Sequence, residues 1–513
     1  MNATTLATTM SAREQARSLL RELAPRLARP LTGATDDSRL VRPGDLFLAY
    51  PGHADDGRRH IAAAIQNGAA AVLFERPANG GMDASAGQEA WAVPHCRVTN
   101  LRALVGPLAH EIAGRPSENL ALLGVTGTNG KTTVSQWLAR AHPEACAVIG
   151  TLGAGFVAQQ EPTGLTTPTA TMLARLLATF VDAGARAVAL EASSIGIAEG
   201  RLDGAQVETA IFTNLTRDHL DYHRTMTAYA EAKAALFTWP GLRLAIVNLD
   251  DPFGRERLRA TTATRRIGYT LAGNHDAAAD VILSAEDLRS TAQGQIFRLA
   301  TPRGGMRIET AVPGAYNVAN LLAVAAVLYD LGLNVREIAE RLALLEAPPG
   351  RMECLGGTNA PLVVVDYAHT PDALANALAA LRPLTAARGG RLACVFGCGG
   401  GRDRGKRPLM GEIAAKNSDR IIVTSDNPRD ETPQAILREI AAGLPEGVSA
   451  LFEVDRAQAI GMALAEAEDA DVILVAGKGH EATQEIAGKR LPFSDTQTSL
   501  AALAARHKKR SAA

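Results

Sequence analysis

The chain has 513 residues, 47% hydrophobic, 4% aromatic and 21% charged. That length exceeds one hydrophobic core and calls for roughly two to four domains, and the composition excludes wholesale disorder. Lys plus Arg number 53 and Asp plus Glu 54, a net charge of -1, which excludes a global electrostatic case for nucleic acid or an anionic membrane.

No run of about 18 apolar residues occurs, and residues 1–20 lack a basic stretch followed by an apolar one, so neither membrane insertion nor a signal peptide is expected. The five cysteines, Cys96, Cys146, Cys354, Cys394 and Cys398, are too sparse for a disulfide framework. They read as buried small hydrophobes in a reducing compartment.

Residues 1–115 form the first expected domain. A Pro-Gly turn precedes a short apolar strand over 45–50. Residues 60–75 add a helical apolar spacing with a glycine near its end and a strand over 70–75, a small α/β arrangement. The connector 111–120, with Gly, Pro and Ser, closes it.

The second expected domain covers 116–348. Strands over 120–125, 185–192, 207–215 and 242–250 are almost continuously aliphatic, as a sheet covered on both faces requires. A helix is predicted over 170–184, an antiparallel extension over 251–313 and a buried helix over 316–332. The third expected domain covers 349–513, with apolar strands over 361–368, 391–399, 419–426 and 471–479 separated by helices. Residues 506–513 read as a frayed basic tail. The fold class is therefore α/β in three domains: a small N-terminal α/β domain, a central parallel sheet, P-loop ATPase-like by the phosphate-loop motif that follows its first strand, and a C-terminal Rossmann-like sheet. Polar residues begin where strands end, at the edge where open α/β sheets bind ligands.

The strongest local signal is GVTGTNGKTT over 124–133, directly after an apolar strand and before a helix. Its glycines permit a tight loop whose N–H groups converge on phosphate oxygens, and the helix N-terminus favours the same anion. Lys131 is expected on the transferring phosphoryl group and Thr132 as a ligand to Mg²⁺. Glu191 ends a strand, where a carboxylate holds a metal or caps a turn. TRDHLDYH over 216–223 places His219 as a cation ligand or as part of a hydrogen-bonded loop. By spacing alone, Lys233 reads as a snorkelling surface lysine.

Further segments follow in order: YNVAN at 316–320, GRME at 350–353, DYAHTPDAL at 366–374, GRDRGKRPLM at 401–410, DNPR at 426–429 and GKGHE at 477–481. With GTNGKTT at 127–133 and DSRLVRPGDLFLA at 37–49, the series resembles the Mur ligases of bacterial peptidoglycan synthesis over nearly the whole chain. Within that family it resembles the branch that adds meso-2,6-diaminopimelate to UDP-N-acetylmuramoyl-L-alanyl-D-glutamate. The resemblance implies a cytoplasmic, monomeric, ATP-dependent amide-bond-forming ligase that works through an acyl phosphate, in cell-wall synthesis and hence in cell shape and division. The three domains would bind the UDP precursor, ATP and the amino acid respectively, and the PPGRME junction would be a hinge.

The resemblance also implies roles. Gly127, Thr128, Asn129, Gly130, Lys131, Thr132, Thr133, Asn317, Arg351 and Asp366 would hold the nucleotide. Lys131, Glu191, His219 and Lys233 would be catalytic. Thr132, Glu191, His219 and Lys233, the last as a CO₂-derived carbamate, would hold magnesium, with two ions expected. Ser38, His53, Thr166, Thr167, Ser193, Glu199 and Arg201 would meet the UDP precursor. Arg402, Asp426, Asn427, Pro428, Arg429, Gly477 and Glu481 would meet diaminopimelate. Arg429 can fork onto its distal carboxylate, and Asp426 with Glu481 can receive its ammonium.

Two positions depart from the family pattern: Ile195 stands where relatives often have His, and Glu199 where Gln is common. An extra carboxylate repels an anionic precursor unless a cation such as Arg201 pairs with it. The alternatives are the L-lysine-adding ligase of the same family, a folylpolyglutamate synthase-like ligase, and a UDP-sugar-binding protein without ligase activity. The DNPR arginine speaks against the first, the UDP-like first domain against the second, and the set Lys131, Glu191, His219 and Lys233 against the third.

Overall fold

The computed structural model describes residues 11–52, 55–75 and 91–512. It divides into two compact units, one running to Val247 with Asp251–Ile267 and Ala278–Asp280, the other Asn248–Asp250 and Gly268–Ala277 with the chain from Val281 onward.

The first unit holds two sheets. Strands β1 (Gly33–Thr35), β2 (Asp45–Ala49), β3 (Ala71–Glu75) and β4 (His95–Val98) pair in parallel in that order. Leu46, Leu48 and Leu73 pack on one face, Phe47, Val72 and Phe74 on the other. Both faces are covered, so apolar residues fill consecutive positions instead of alternating. The second sheet contains β5 (Ala121–Thr126), β6 (Cys146–Gly150), β7 (Gly153–Phe156), β8 (Gln159–Glu161), β9 (Ala187–Glu191), β10 (Thr209–Phe212) and β11 (Leu244–Asn248). Its order is β11-β10-β5-β9-β6-β7-β8, parallel as far as β6 and antiparallel through β7 and β8. The antiparallel edge has no counterpart in the sequence reading. Gly153 and Gly155 lie at φ +129° and +151°, a conformation that apolar patterning does not report. Helix Ala170–Asp182 buries Leu173, Leu177 and Phe180, one face of a 3.6-residue period, and Thr169 caps it.

After β12 (Arg265–Thr270), the second unit begins with an antiparallel meander of β13 (Val281–Thr291), β14 (Gly294–Thr301) and β15 (Gly304–Thr310), within the antiparallel extension expected over 251–313. The buried helix Ala315–Asp330 follows. The C-terminal sheet contains β16 (Glu353–Gly356), β17 (Leu362–Asp366), β18 (Leu392–Phe396), β19 (Arg420–Val423), β20 (Leu451–Phe452) and β21 (Val472–Ala476) in the order β16-β17-β21-β18-β19-β20. It is parallel except for β16, and a hairpin of β22 (Thr483–Ile486) and β23 (Lys489–Pro492) follows. Val364, Cys394, Val423 and Leu474 face one core, Val363, Val395, Ile422 and Ile473 the other.

The expected frayed tail is instead the end of the helix Asp495–Ala512. Its Ala, Arg and Lys are good helix formers with no breaker among them, and Arg506 ties it to the Leu464 carbonyl at 2.9 Å. The five cysteines are free, but Cys96 and Cys354 are only half-buried. Among the described residues no helix is long and apolar enough to cross a membrane.

Candidate active site

The phosphate loop runs from β5 into the helix Lys131–Ala141. Gly127 and Gly130 sit at φ +144° and +86°, and a Cβ at Gly127 would lie 1.9 Å from Thr213 Oγ1, so this loop admits only glycine there. The residues after β10 brace it. Thr213 Oγ1 donates to the Asn129 carbonyl at 2.6 Å, Asn129 N–H to Asn214 Oδ1 at 3.0 Å and Thr216 N–H to Thr128 Oγ1 at 2.9 Å. Thr133 is buried in the first turn of the helix, whose leading N–H groups have no intrahelical acceptor and favour an anion.

Two lysines converge on one carbonyl. Lys131 Nζ donates to the Gly127 and Thr128 carbonyls at 3.0 and 2.8 Å, and Lys233 Nζ to Gly127 at 2.7 Å. Lys233 is 1% exposed, which corrects the surface reading from spacing alone. Its amine lies 4.4 Å from the centre of the Tyr229 ring, one helical turn earlier, and Tyr229 Oη meets Thr128 Oγ1 at 3.1 Å. Burial, with the Lys131 charge beside it, pushes the Lys233 amine well below the ordinary lysine range.

Glu191, at the end of β9, is fully buried. Its Oε2 accepts from Thr132 Oγ1 and Thr151 Oγ1, each at 3.1 Å, and its Oε1 from Thr151 N–H at 2.8 Å. A carboxylate and a hydroxyl presented together beside a phosphate loop are hard oxygen donors, the set Mg²⁺ takes, so Thr132 and Glu191 fit the ion. His219 makes its contacts elsewhere, with Asp218 at 3.5 Å and the Tyr229 ring, in a left-handed conformation at φ +51°. Among the described residues no cluster of three or more His, Cys, Asp or Glu forms a metal centre.

From Glu191 the hydrogen bonds continue. Thr151 Oγ1 meets Thr166 Oγ1 at 3.1 Å. Thr167 Oγ1 donates to the Glu191 carbonyl at 2.7 Å and lies 2.9 Å from Ser193 Oγ. Arg201 Nη1 donates to the Thr167 carbonyl at 2.8 Å, while its Nε donates to Glu199 Oε2 at 2.8 Å. The departure at Glu199 is thus paired with Arg201, the cation the sequence reading required. Ile195 is half-buried in the short helix that Ser193 caps. In the first sheet's domain, the Ser38 carbonyl accepts from Asn67 Nδ2 at 2.9 Å. His53 lies outside the described residues.

The second unit gathers the other set. Asp366, at the end of β17, accepts from Met352 and Ala368 N–H at 2.8 and 2.9 Å. Burial raises its pKa against the pull of Arg351 and those amides. Arg351 stacks over the Tyr367 ring at 4.7 Å, and its buried Nε has no hydrogen-bond partner among the described residues. The Asn317 amide donates to the Pro313 carbonyl at 2.8 Å and accepts from Asn320 at 3.2 Å, so it serves its own helix.

Asn427 and Glu481 meet directly, Nδ2 to Oε2, at 2.8 Å. The buried Lys478 donates to Asn427 Oδ1 at 3.0 Å and to Glu481 Oε2 at 2.8 Å. Burial raises Glu481, but its hydrogen bond to Lys478 and that lysine's charge outweigh it, leaving a charged carboxylate. Arg429, at φ +52°, donates from Nη1 to the Gly400 carbonyl at 2.6 Å and faces Glu485 at 3.4 Å. Pro428 is buried, its carbonyl taking the Glu431 N–H at 3.0 Å. Arg402 is exposed on the same glycine-rich loop. The sequence reading missed Thr151, Tyr229 and Lys478. Thr151 follows a strand end and Tyr229 precedes Lys233 by four residues, so the strand-edge rule and helical spacing point to both.

Three family models match this chain: "Mur ligase family, catalytic domain" over 31–111, "Mur ligase middle domain" over 125–328 and "Mur ligase, glutamate ligase domain" over 350–479. The UDP-N-acetylmuramoyl-L-alanyl-D-glutamate–2,6-diaminopimelate ligase of Acidovorax sp. (strain JS42) is 48% identical over 501 residues, covering 95% of this chain and 97% of that one. The ligase of the same name from Pseudomonas aeruginosa is 47% identical over 491 residues, with coverages of 95% and 98%. A solved structure of a ligase of that name superimposes with a TM-score of 0.68 at 35% identity, covering 93% of this chain and 96% of that one.

Proposed function

The chain belongs to the Mur ligase family, and from that premise we propose that it joins meso-2,6-diaminopimelate to the D-glutamate of UDP-N-acetylmuramoyl-L-alanyl-D-glutamate at the expense of ATP. The observation that carries this reading is that Glu191 links the two sets, its carboxylate accepting from Thr132 on the phosphate loop and its main-chain carbonyl from Thr167, which in turn meets Ser193 through its hydroxyl and Arg201 through its carbonyl. It puts the residues assigned to the two anionic substrates on one connected framework.

A free carboxylate is a poor acyl donor because oxide leaves badly. Its oxygen attacks the γ-phosphorus of ATP, the bond to ADP breaks, and an acyl phosphate forms. The amine of diaminopimelate then adds to the carbonyl carbon, loses a proton, and phosphate leaves through a tetrahedral intermediate. Lys131 gathers charge on the transferring group, and Gly127 to Thr133 cradle the phosphates. Asn317, Arg351 and Asp366 are assigned to the nucleoside, and Ser38, His53, Thr166 and Ser193 to the precursor. Asp426, Glu481 and Arg429, with Arg402, Asn427, Pro428 and Gly477 around them, receive the amino acid. The first domain, to residue 115, takes the precursor, 116–348 ATP and 349–513 the amino acid. Thr132 and Glu191, with His219 and the Lys233 carbamate, would hold Mg²⁺, two ions being the number proposed, and the metal would supply positive charge to screen the repulsion between phosphates and carboxylate.

Lys233 supports the carbamate assignment because the uncharged amine is the form that adds CO₂, and burial favours that form. The N–C bond forms at the neutral amine with loss of one proton, and the uncharged amine becomes a carboxylate-like anion. The enzyme works in the cytoplasm as a monomer.

With saturating ATP and UDP precursor, ADP release should depend on meso-diaminopimelate, with L-lysine at least about tenfold poorer, since it lacks the distal carboxylate that the half-buried Arg429 would bind and a charge-assisted hydrogen bond contributes about 1.5–3 kcal/mol. Equal turnover with L-lysine overturns the specificity.

A further inference from the structure

Arg456 and Asp495 form an ion pair with both side chains at 0% exposure, and nothing in the chemistry above uses it. Each is the first residue of a helix, Arg456–Ala465 and Asp495–Ala512. Arg456 donates from Nε and Nη2 to the two Asp495 oxygens at 2.7 and 2.8 Å. Desolvation cancels much of the attraction in such a pair, so its value is better sought in geometry than in stability.

That geometry is specific. Nη1 donates to the Ser425 carbonyl at 3.2 Å and Nη2 to the Ala476 carbonyl at 2.9 Å. These residues directly precede Asp426 and Gly477, at the ends of β19 and β21, which are separated by β18. One planar guanidinium therefore spans two strands that do not pair and fixes the distance between the loops leaving them. The loops touch: a Cβ at Gly477, φ +119°, would lie 2.5 Å from Asp426 Oδ2. Asp426 Oδ1 accepts from Asn427 N–H at 2.7 Å, whereas Oδ2 is buried and has no hydrogen-bond partner among the described residues.

We propose that Arg456, anchored by Asp495, is a positioning residue for the amino-acid substrate: it sets the spacing of the Asp426 and Gly477 loops and so presents Asp426 Oδ2 to the substrate ammonium. The proposal rests on the assignment of Asp426 to diaminopimelate. Arg456 and Lys478 are the cations around Asp426, Glu481 and Asp495 the anions, and Tyr367, His369 and Cys398 the other titratable groups facing it. Burial raises Asp426, and Arg456 is the strongest influence holding it down.

The test varies meso-diaminopimelate, ATP and precursor in turn with the full-length enzyme. Arg456→Lys keeps the charge and loses the fork; Arg456→Gln loses both. Each should raise the KM for meso-diaminopimelate at least tenfold and leave the other two KM values within twofold. Only Arg456→Gln should move the acid limb of kcat/KM for the amino acid to higher pH. Proportional changes in all three KM values, or no change in any, overturn the proposal. If Arg456→Gln does not fold, the KM pattern of Arg456→Lys decides alone. Asp426→Asn separates the two layers. An unaltered KM for diaminopimelate there removes the underlying assignment, while a raised KM there with unaltered Arg456 variants removes this inference only.

Discussion

Lys131→Ala should lower turnover by about 10³-fold, the scale of losing one preorganised charge-stabilising donor, while the affinity for the UDP precursor stays within about threefold. The asymmetry follows from where the side chain is held. Its amine lies over the phosphate loop, bonded to the Gly127 and Thr128 carbonyls. The residues assigned to the precursor hang on other segments: Thr166 and Thr167 before the helix Ala170–Asp182, Ser193 and Arg201 after β9. Removing Lys131 leaves the Glu191–Thr167–Ser193 path intact and takes away only the charge needed as the phosphoryl group moves. ADP release measures the first quantity and calorimetric titration of the precursor the second. Comparable losses in both contradict the phosphoryl-transfer role.

Lys233→Ala should cost about 10²-fold or more in turnover, since the carbamate would act on the electrostatics of the transfer, and a short carboxylate such as acetate should restore at least about a tenth of the loss. An unmodified lysine there faces a neighbouring cation, Lys131, and one carbonyl it must share with it. Burial therefore favours the neutral amine over the ammonium, and with it carbamate formation at neutral pH. Loss of activity in CO₂-depleted buffer, regained with bicarbonate, is the matching result for the unaltered enzyme. A ¹³C carbamate resonance that Lys233→Ala lacks would report the adduct itself. A variant that no carboxylate rescues, with a parent indifferent to CO₂, contradicts the assignment.

Much of this was legible in the residues. The strands of both parallel sheets announce themselves because burial on two faces leaves no polar alternation: Leu122 to Val125 and Val472 to Ala476 are all buried. The phosphate loop was legible for a different reason, since Gly127 and Gly130 occupy backbone conformations that other residues resist. Lys233 was not legible by spacing. The alanines around it, Ala230, Ala232 and Ala234, mark no buried face, and only the fold places Tyr229 and Gly127 over its amine. The Arg456–Asp495 pair joins residues 39 positions apart in sequence and lies in no phosphate or turn motif, so nothing local marks it. Glu199 shows the intermediate case. The need for a cationic partner followed from charge alone, but that Arg201 would reach it and the Thr167 carbonyl together is a matter of geometry.

The central claim is that ATP phosphorylates the precursor's carboxylate before the amine attacks. It is tested most directly by labelling both oxygens of the D-glutamate γ-carboxylate with ¹⁸O and analysing the phosphate released during turnover with meso-diaminopimelate. The account predicts one ¹⁸O atom in each phosphate, because the oxygen that attacked the γ-phosphorus departs with it. Phosphate free of label, with both ¹⁸O atoms retained in the precursor or lost to water, would contradict it.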